Sequence, residues 1–151
     1  MKKKNNLLKK IAVIVPLITI ICGSITGVMT YVNIGYADAF FTRWLSSFIL
    51  AIAILAPTGF IISAVINKIV KILCAKQSTI VQNIIFGLIM ATVMESIMAI
   101  VTTTNTIGLD NTSLFAQMWL KAFLTALPLG IGISLLMSLS IKAKIEKFLV
   151  G

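Results

Sequence analysis

Residues 24–48 read SITGVMTYVNIGYADAFFTRWLSSF, and residues 96–123 read SIMAIVTTTNTIGLDNTSLFAQMWLKAF. The two stretches are one pattern written twice. Ser24-Ile25, Gly27, Thr30 and Asn33 return as Ser96-Ile97, Ala99, Thr102 and Asn105, offset by 72 residues. Phe40 and Trp44-Leu45-x-x-Phe48 return as Phe115 and Trp119-Leu120-x-x-Phe123, offset by 75 residues. Each copy joins the end of one apolar run to the start of another, so the chain reads as a duplicated two-helix unit.

The surroundings decide the solvent. Of 151 residues, 59% are hydrophobic and only 11% are charged. A soluble domain carries about 25% charged residues to stay in water, so this chain is built for lipid. Four apolar runs stand out: Ile11–Ile34, Trp44–Ile66, Thr79–Thr103 and Phe115–Ile141. Each meets the ~20 residues that a helix needs to cross a bilayer. Runs of this length exceed a barrel strand, and lipid offers no partner to an open backbone edge. The expectation is an all-α integral membrane protein of four transmembrane helices, arranged as two tandem helical hairpins. Residues 1–10 form a basic tail, 11–73 the first two-helix unit and 79–148 the second.

The net charge of +9 comes from 12 Lys and one Arg against four acids. In a soluble chain such a balance suggests nucleic acid. Here the cations sit between apolar runs, as on the cytoplasmic flanks of membrane spans. Lys2, Lys3, Lys4, Lys9 and Lys10 precede the first run, Lys68, Lys71 and Lys76 follow the second, and Lys142, Lys144 and Lys147 follow the fourth. The other two connections carry only Arg43, plus Lys121 just inside the fourth run. Both termini and the middle loop are therefore expected in the cytoplasm, with the Asp38 and Asp110 loops outside. The excess of Lys over Arg, with many Ile and Asn, points to a bacterium with an AT-rich genome, and hence to its cytoplasmic membrane.

The first run exceeds the ~7–15 apolar residues of a signal-peptide core, so it is expected to be retained. Ile21 before Cys22 also disfavours a lipoprotein site, which needs a small residue there. Cys22 lies in a span and Cys74 in a basic loop, so the two are expected to be unpaired thiols. With no His and no Cys cluster, neither a metal nor another cofactor is expected.

Helical spacing places Gly23, Gly27 and Thr30 on one face of the first span. Gly23-x-x-x-Gly27 is a close-packing pattern for membrane helices. The equivalent face of the third span holds Glu95, Ala99 and Thr102. Glu95 is the one acid deep in a span, and its cost in lipid turns it toward protein. Lys121, entering the fourth span from the outer side, is the cation available to it. A Glu95–Lys121 pair docks the third span on the fourth; the functional alternative is a coupling site for protons or cations. Copy one has Gly23 and Ser46 in these places. Trp44 and Trp119 fall at the outer ends of spans, where an amphipathic ring anchors to the membrane interface. Asn33 and Asn105 also stand there, as helix caps or turn starters, or as a polar mouth for a solute.

No nucleophile–base pair, close carboxylate pair or Gly-rich phosphate loop is present, so no enzyme activity is expected. Two functions remain: an interaction or structural component of the membrane, or a small proton- or cation-coupled transporter using Glu95. The partners expected are the lipid bilayer and either further copies of this chain or another membrane protein, with no nucleic acid.

The Ser/Gly/Thr/Asn helix, the short aromatic loop and the Trp-led helix with an internal Pro resemble a family of small bacterial membrane proteins, domain of unknown function 2798. The likeness covers about Pro16–Leu73 and Ile84–Phe148. It implies one or two such two-helix units per protein and carries no activity. Copy two departs from the pattern at Glu95, and Pro128 follows its Trp more closely than Pro57 does.

Overall fold

The computed structural model describes residues 2–136. Lys142, Lys144 and Lys147, and the end of the second unit, lie outside the described residues. Four helices follow one another: α1 (Lys2–Ile34), α2 (Phe40–Leu73), α3 (Thr79–Ile107) and α4 (Thr112–Leu136). All four are long and apolar enough to cross a membrane. At ~1.5 Å per residue, α2 with its 34 residues exceeds the ~30 Å hydrocarbon layer. The basic tail is not a separate segment: α1 starts at Lys2 and runs through it without a break.

The helix ends follow from local chemistry. The first helix of each unit stops at a glycine with positive φ, Gly35 at 64° and Gly108 at 85°. Only glycine adopts such a backbone without strain. Their N–H groups close the last turns onto Tyr31 and Thr104 carbonyls at 2.7 and 3.1 Å. Ser78 opens α3 by accepting from the Val81 N–H at 3.4 Å, and Asn111 opens α4 by accepting from the Leu114 N–H at 3.0 Å. Both are ordinary N-cap residues. Pro16, Pro57 and Pro128 stand inside α1, α2 and α4, and each helix continues past its proline.

The packing repeats the sequence duplication. Helices α1 and α3 touch each other, and each also packs against both α2 and α4. The two outer helices, α2 and α4, make no comparable contact with one another. In cross-section α1 and α3 form the short diagonal of a rhombus. Exchanging α1 with α3 and α2 with α4 leaves this arrangement unchanged.

Small residues allow the helices to pack closely. Ala51, Ala99, Ala122 and Ala126 are wholly buried, together with Met29. Cys22, Ile25 and Met98 complete the core, which Phe48, Trp119 and Phe123 cover. Lipid gives helices no hydrophobic incentive to associate, so close van der Waals approach and interhelical hydrogen bonds do the work. The large apolar side chains of α2 point the other way. Ile49, Phe60, Ile61, Val65, Ile69 and Leu73 all stand exposed along α2.

Candidate functional site

The seam between α1 and α3 is lined with hydroxyls, amides and thioethers rather than with aliphatic side chains. Thr26, Thr30, Thr102 and Thr103 are wholly buried there. The Thr26 hydroxyl lies 2.5 Å from the Cys22 carbonyl and 3.6 Å from the Met98 sulfur. The Thr102 hydroxyl faces the Met29 sulfur at 4.0 Å. A threonine inside a helix can satisfy itself on its own backbone four residues back, as Thr26 does on the Cys22 carbonyl.

Toward the outer end the seam gains two amides. Asn33 Nδ2 donates from α1 to the hydroxyls of Thr103 at 3.2 Å and Thr106 at 3.0 Å on α3. Asn105 Nδ2 donates from α3 to Ser46 at 2.6 Å and Ser47 at 2.8 Å on α2. Arg43 closes this second contact by donating to the Asn105 carbonyl at 2.8 Å. Neither asparagine caps a helix, as their sequence positions suggested. Glycines end these helices, which frees both amides to tie one helix to the next.

The two tryptophans do the same at the helix pairs. Trp44 Nε1 on α2 donates to the Gly23 carbonyl of α1 at 2.9 Å, and Trp119 Nε1 on α4 donates to the Ser96 carbonyl of α3 at 3.3 Å. Each carbonyl has a second lone pair for this bond beside its helix partner. The rings stack on Phe48 and Phe123, with planes 26° and 9° apart. Gly23 and Gly27 are the surface on which Trp44 rests. The Gly23, Gly27 and Thr30 stripe is thus divided: the glycines receive α2, while Thr30 lies buried among the seam residues. Ala99 and Thr102 are buried on α3.

One turn below Ala99 lies Glu95, with 4% of its surface exposed. Its carboxyl rests against the bare backbone of α4. A methyl group added at Gly130 would fall on Oε1, and within 2.9 Å of both Cδ and Cγ. Glu95 Oε2 has no hydrogen-bond partner. Lys121 does not supply one. The buried face of α4 is Ala122, Ala126 and Gly130, and Lys121 points outward beside it. The structure therefore brings Glu95 to α4 without bringing it to Lys121. Two further buried oxygens lack partners, Thr30 Oγ1 and Asn33 Oδ1, and both stand on the α1 side of the seam. Among the described residues no group of three or more His, Cys, Asp or Glu gathers where a metal would sit.

The family model described as Domain of unknown function (DUF2798) matches the chain twice, over residues 4–74 and 79–149. The chain belongs to this family. No curated protein and no solved structure matches it. The two DUF2798 matches enclose α1–α2 and α3–α4, and they give the seam contacts a further meaning. Thr26 and Met98 are the same position in the two units, 72 residues apart, and they touch. A position that meets its own equivalent lies on a two-fold axis, as in an isologous dimer interface. The two DUF2798 units meet along this seam, and the short loop after α2 joins them.

Proposed function

We propose that the protein is a multi-pass component of the bacterial cytoplasmic membrane that works by association rather than by catalysis. Its two units form a fused pseudo-dimer, with both termini and the α2–α3 loop in the cytoplasm. The contact of Thr26 with Met98 carries this reading. The duplicated unit is held to its twin by an interdigitated seam, to which the recurring Thr30 and Thr102 contribute beside Thr26, Met29, Met98 and Thr103. The orientation rests on eleven Lys flanking the cytoplasmic side against Arg43 and Lys121 on the other. The apolar outer face of α2 is left for lipid, for another copy or for a different membrane protein.

A second reading is a small proton- or cation-coupled transporter. It is favoured by one observation, the buried Glu95 with an oxygen that nothing satisfies. Conserving charge balance through a pair with Lys121 is not available to it.

Labelling tests the orientation. With Cys22→Ser in place, a membrane-impermeant maleimide added to intact cells reaches a cysteine placed at Asp110 and leaves Cys74 unlabelled; the reverse pattern contradicts the orientation. Proteoliposomes under an imposed pH gradient test the function. Association predicts the same proton leak for the wild type and Glu95→Gln as for empty vesicles. Flux that is lost in Glu95→Gln overturns it in favour of transport.

A further inference from the structure

We propose that Glu95 is a proton-binding site, occupied as the neutral acid in this packed arrangement and exchanging its proton with water that enters along the α1–α3 seam. The inference deepens the second reading, but it requires only that Glu95 binds a proton, not that a solute moves.

The surroundings of the carboxyl carry the argument. From α4, Glu95 meets the backbone at Gly130. Lys121 on that helix is exposed on another face. From α1, the titratable neighbour is Cys22, a buried thiol that bears no positive charge. From α2, Lys68 and Lys71 are exposed, and Arg43 is committed to the Asn105 carbonyl. Among the described residues no cation faces Glu95 from an element packed against it, and no N–H or O–H donates to Oε2. An ionised carboxylate is held in an apolar interior only by pairing or hydrogen bonds. The form that fits this place is the acid.

The same surroundings choose the ligand. A metal cation with oxygen ligands collects about six of them. Here one carboxyl stands against a glycine and a core of Met, Ala and Cys. A proton needs only the carboxyl itself. The route is marked by the other unpartnered oxygens. Asn33 Oδ1 near the outer end and Thr30 Oγ1 one turn deeper belong to the seam, and Glu95, whose carboxyl rests on α4, holds the third. A buried acceptor without a protein partner is where water is recruited.

Infrared difference spectroscopy on the full chain, reconstituted in phosphatidylcholine vesicles, tests this directly. The wild type is expected to show the carbonyl stretch of an un-ionised carboxyl. That band shifts in D2O, titrates away in one step as pH is raised, and is missing in Glu95→Gln, which keeps the shape of the neutral acid. Lys121→Gln leaves the titration unchanged, and Asn33→Leu with Thr30→Val slows deuterium exchange at the band. Identical wild-type and Glu95→Gln spectra at every pH overturn the proposal. So does loss of the band on adding sodium at constant pH, which makes the site one for a metal cation. Proton flux in vesicles separates the two claims: a Glu95 band without flux upholds proton binding and removes transport, whereas flux without the band removes proton binding and leaves transport.

Discussion

The Glu95 carboxyl rests on α4 at Gly130, where the helix presents bare backbone. The buried acid and the missing methyl group are a matched pair across the α3–α4 contact. Gly130→Ala is therefore expected to destabilise the protein by about 1–3 kcal/mol, the usual cost of overpacking a filled interior. Glu95→Ala removes the obstacle, so the double variant is expected to lose less than the sum of the two single losses, with a coupling of about 0.5–3 kcal/mol. Thermal unfolding of the four proteins in one detergent measures this. Strict additivity contradicts the contact.

Asn33 and Asn105 occupy equivalent positions and serve different helix pairs. Asn33 joins α1 to α3 through Thr103 and Thr106, whereas Asn105 joins α3 to α2 through Ser46 and Ser47. Interhelical hydrogen bonds in membranes contribute about 0.6 kcal/mol on average and up to about 1.7. Each Asn→Leu variant is expected to lose roughly one or two such bonds' worth of stability. The losses should differ in kind: Asn105→Leu also removes the bond that Asn105 Nδ2 donates to the Arg43 backbone carbonyl at 3.3 Å, so cysteine labelling near Arg43 rises in that variant and stays low in Asn33→Leu. Equal labelling in both would show that Asn105 does not hold the end of α2.

The order of helices was legible because apolar length is a local property of the chain. The repeat was legible because Ser, Gly, Thr, Asn and Trp recur at fixed intervals. Glu95 stood out for the same reason, as a single acid in an apolar run. Its partner did not, because which arc of α4 meets α3 is decided by packing. Ala122, Ala126 and Gly130, spaced by four, are the small-residue face that signals this arc. Lys121 lies ~100° around the helix from Ala122, and one residue of rotation separates an ion pair from an outward lysine. Thr26, Met29, Met98 and Thr103 carried no signal of their own, since threonine and methionine are ordinary in any membrane helix. Their role comes from facing each other across a symmetry axis that no single stretch of sequence displays. The asparagines read as helix ends because they precede Gly35 and Gly108, and the glycines proved sufficient for that task.

The pairing of the two units about Thr26 and Met98 is the centre of the account, and a disulfide tests it. In a Cys22→Ser, Cys74→Ser background, with a protease site inserted in the α2–α3 loop, Thr26→Cys and Met98→Cys are introduced together. Ile20→Cys with Ile100→Cys, both on exposed positions, serves as the control pair. After mild oxidation in membranes and cleavage of the loop, the two halves of the Thr26→Cys, Met98→Cys protein are expected to remain joined until reduced, and those of the control to separate. Halves that separate in both proteins, or stay joined equally in both, contradict the pseudo-two-fold seam.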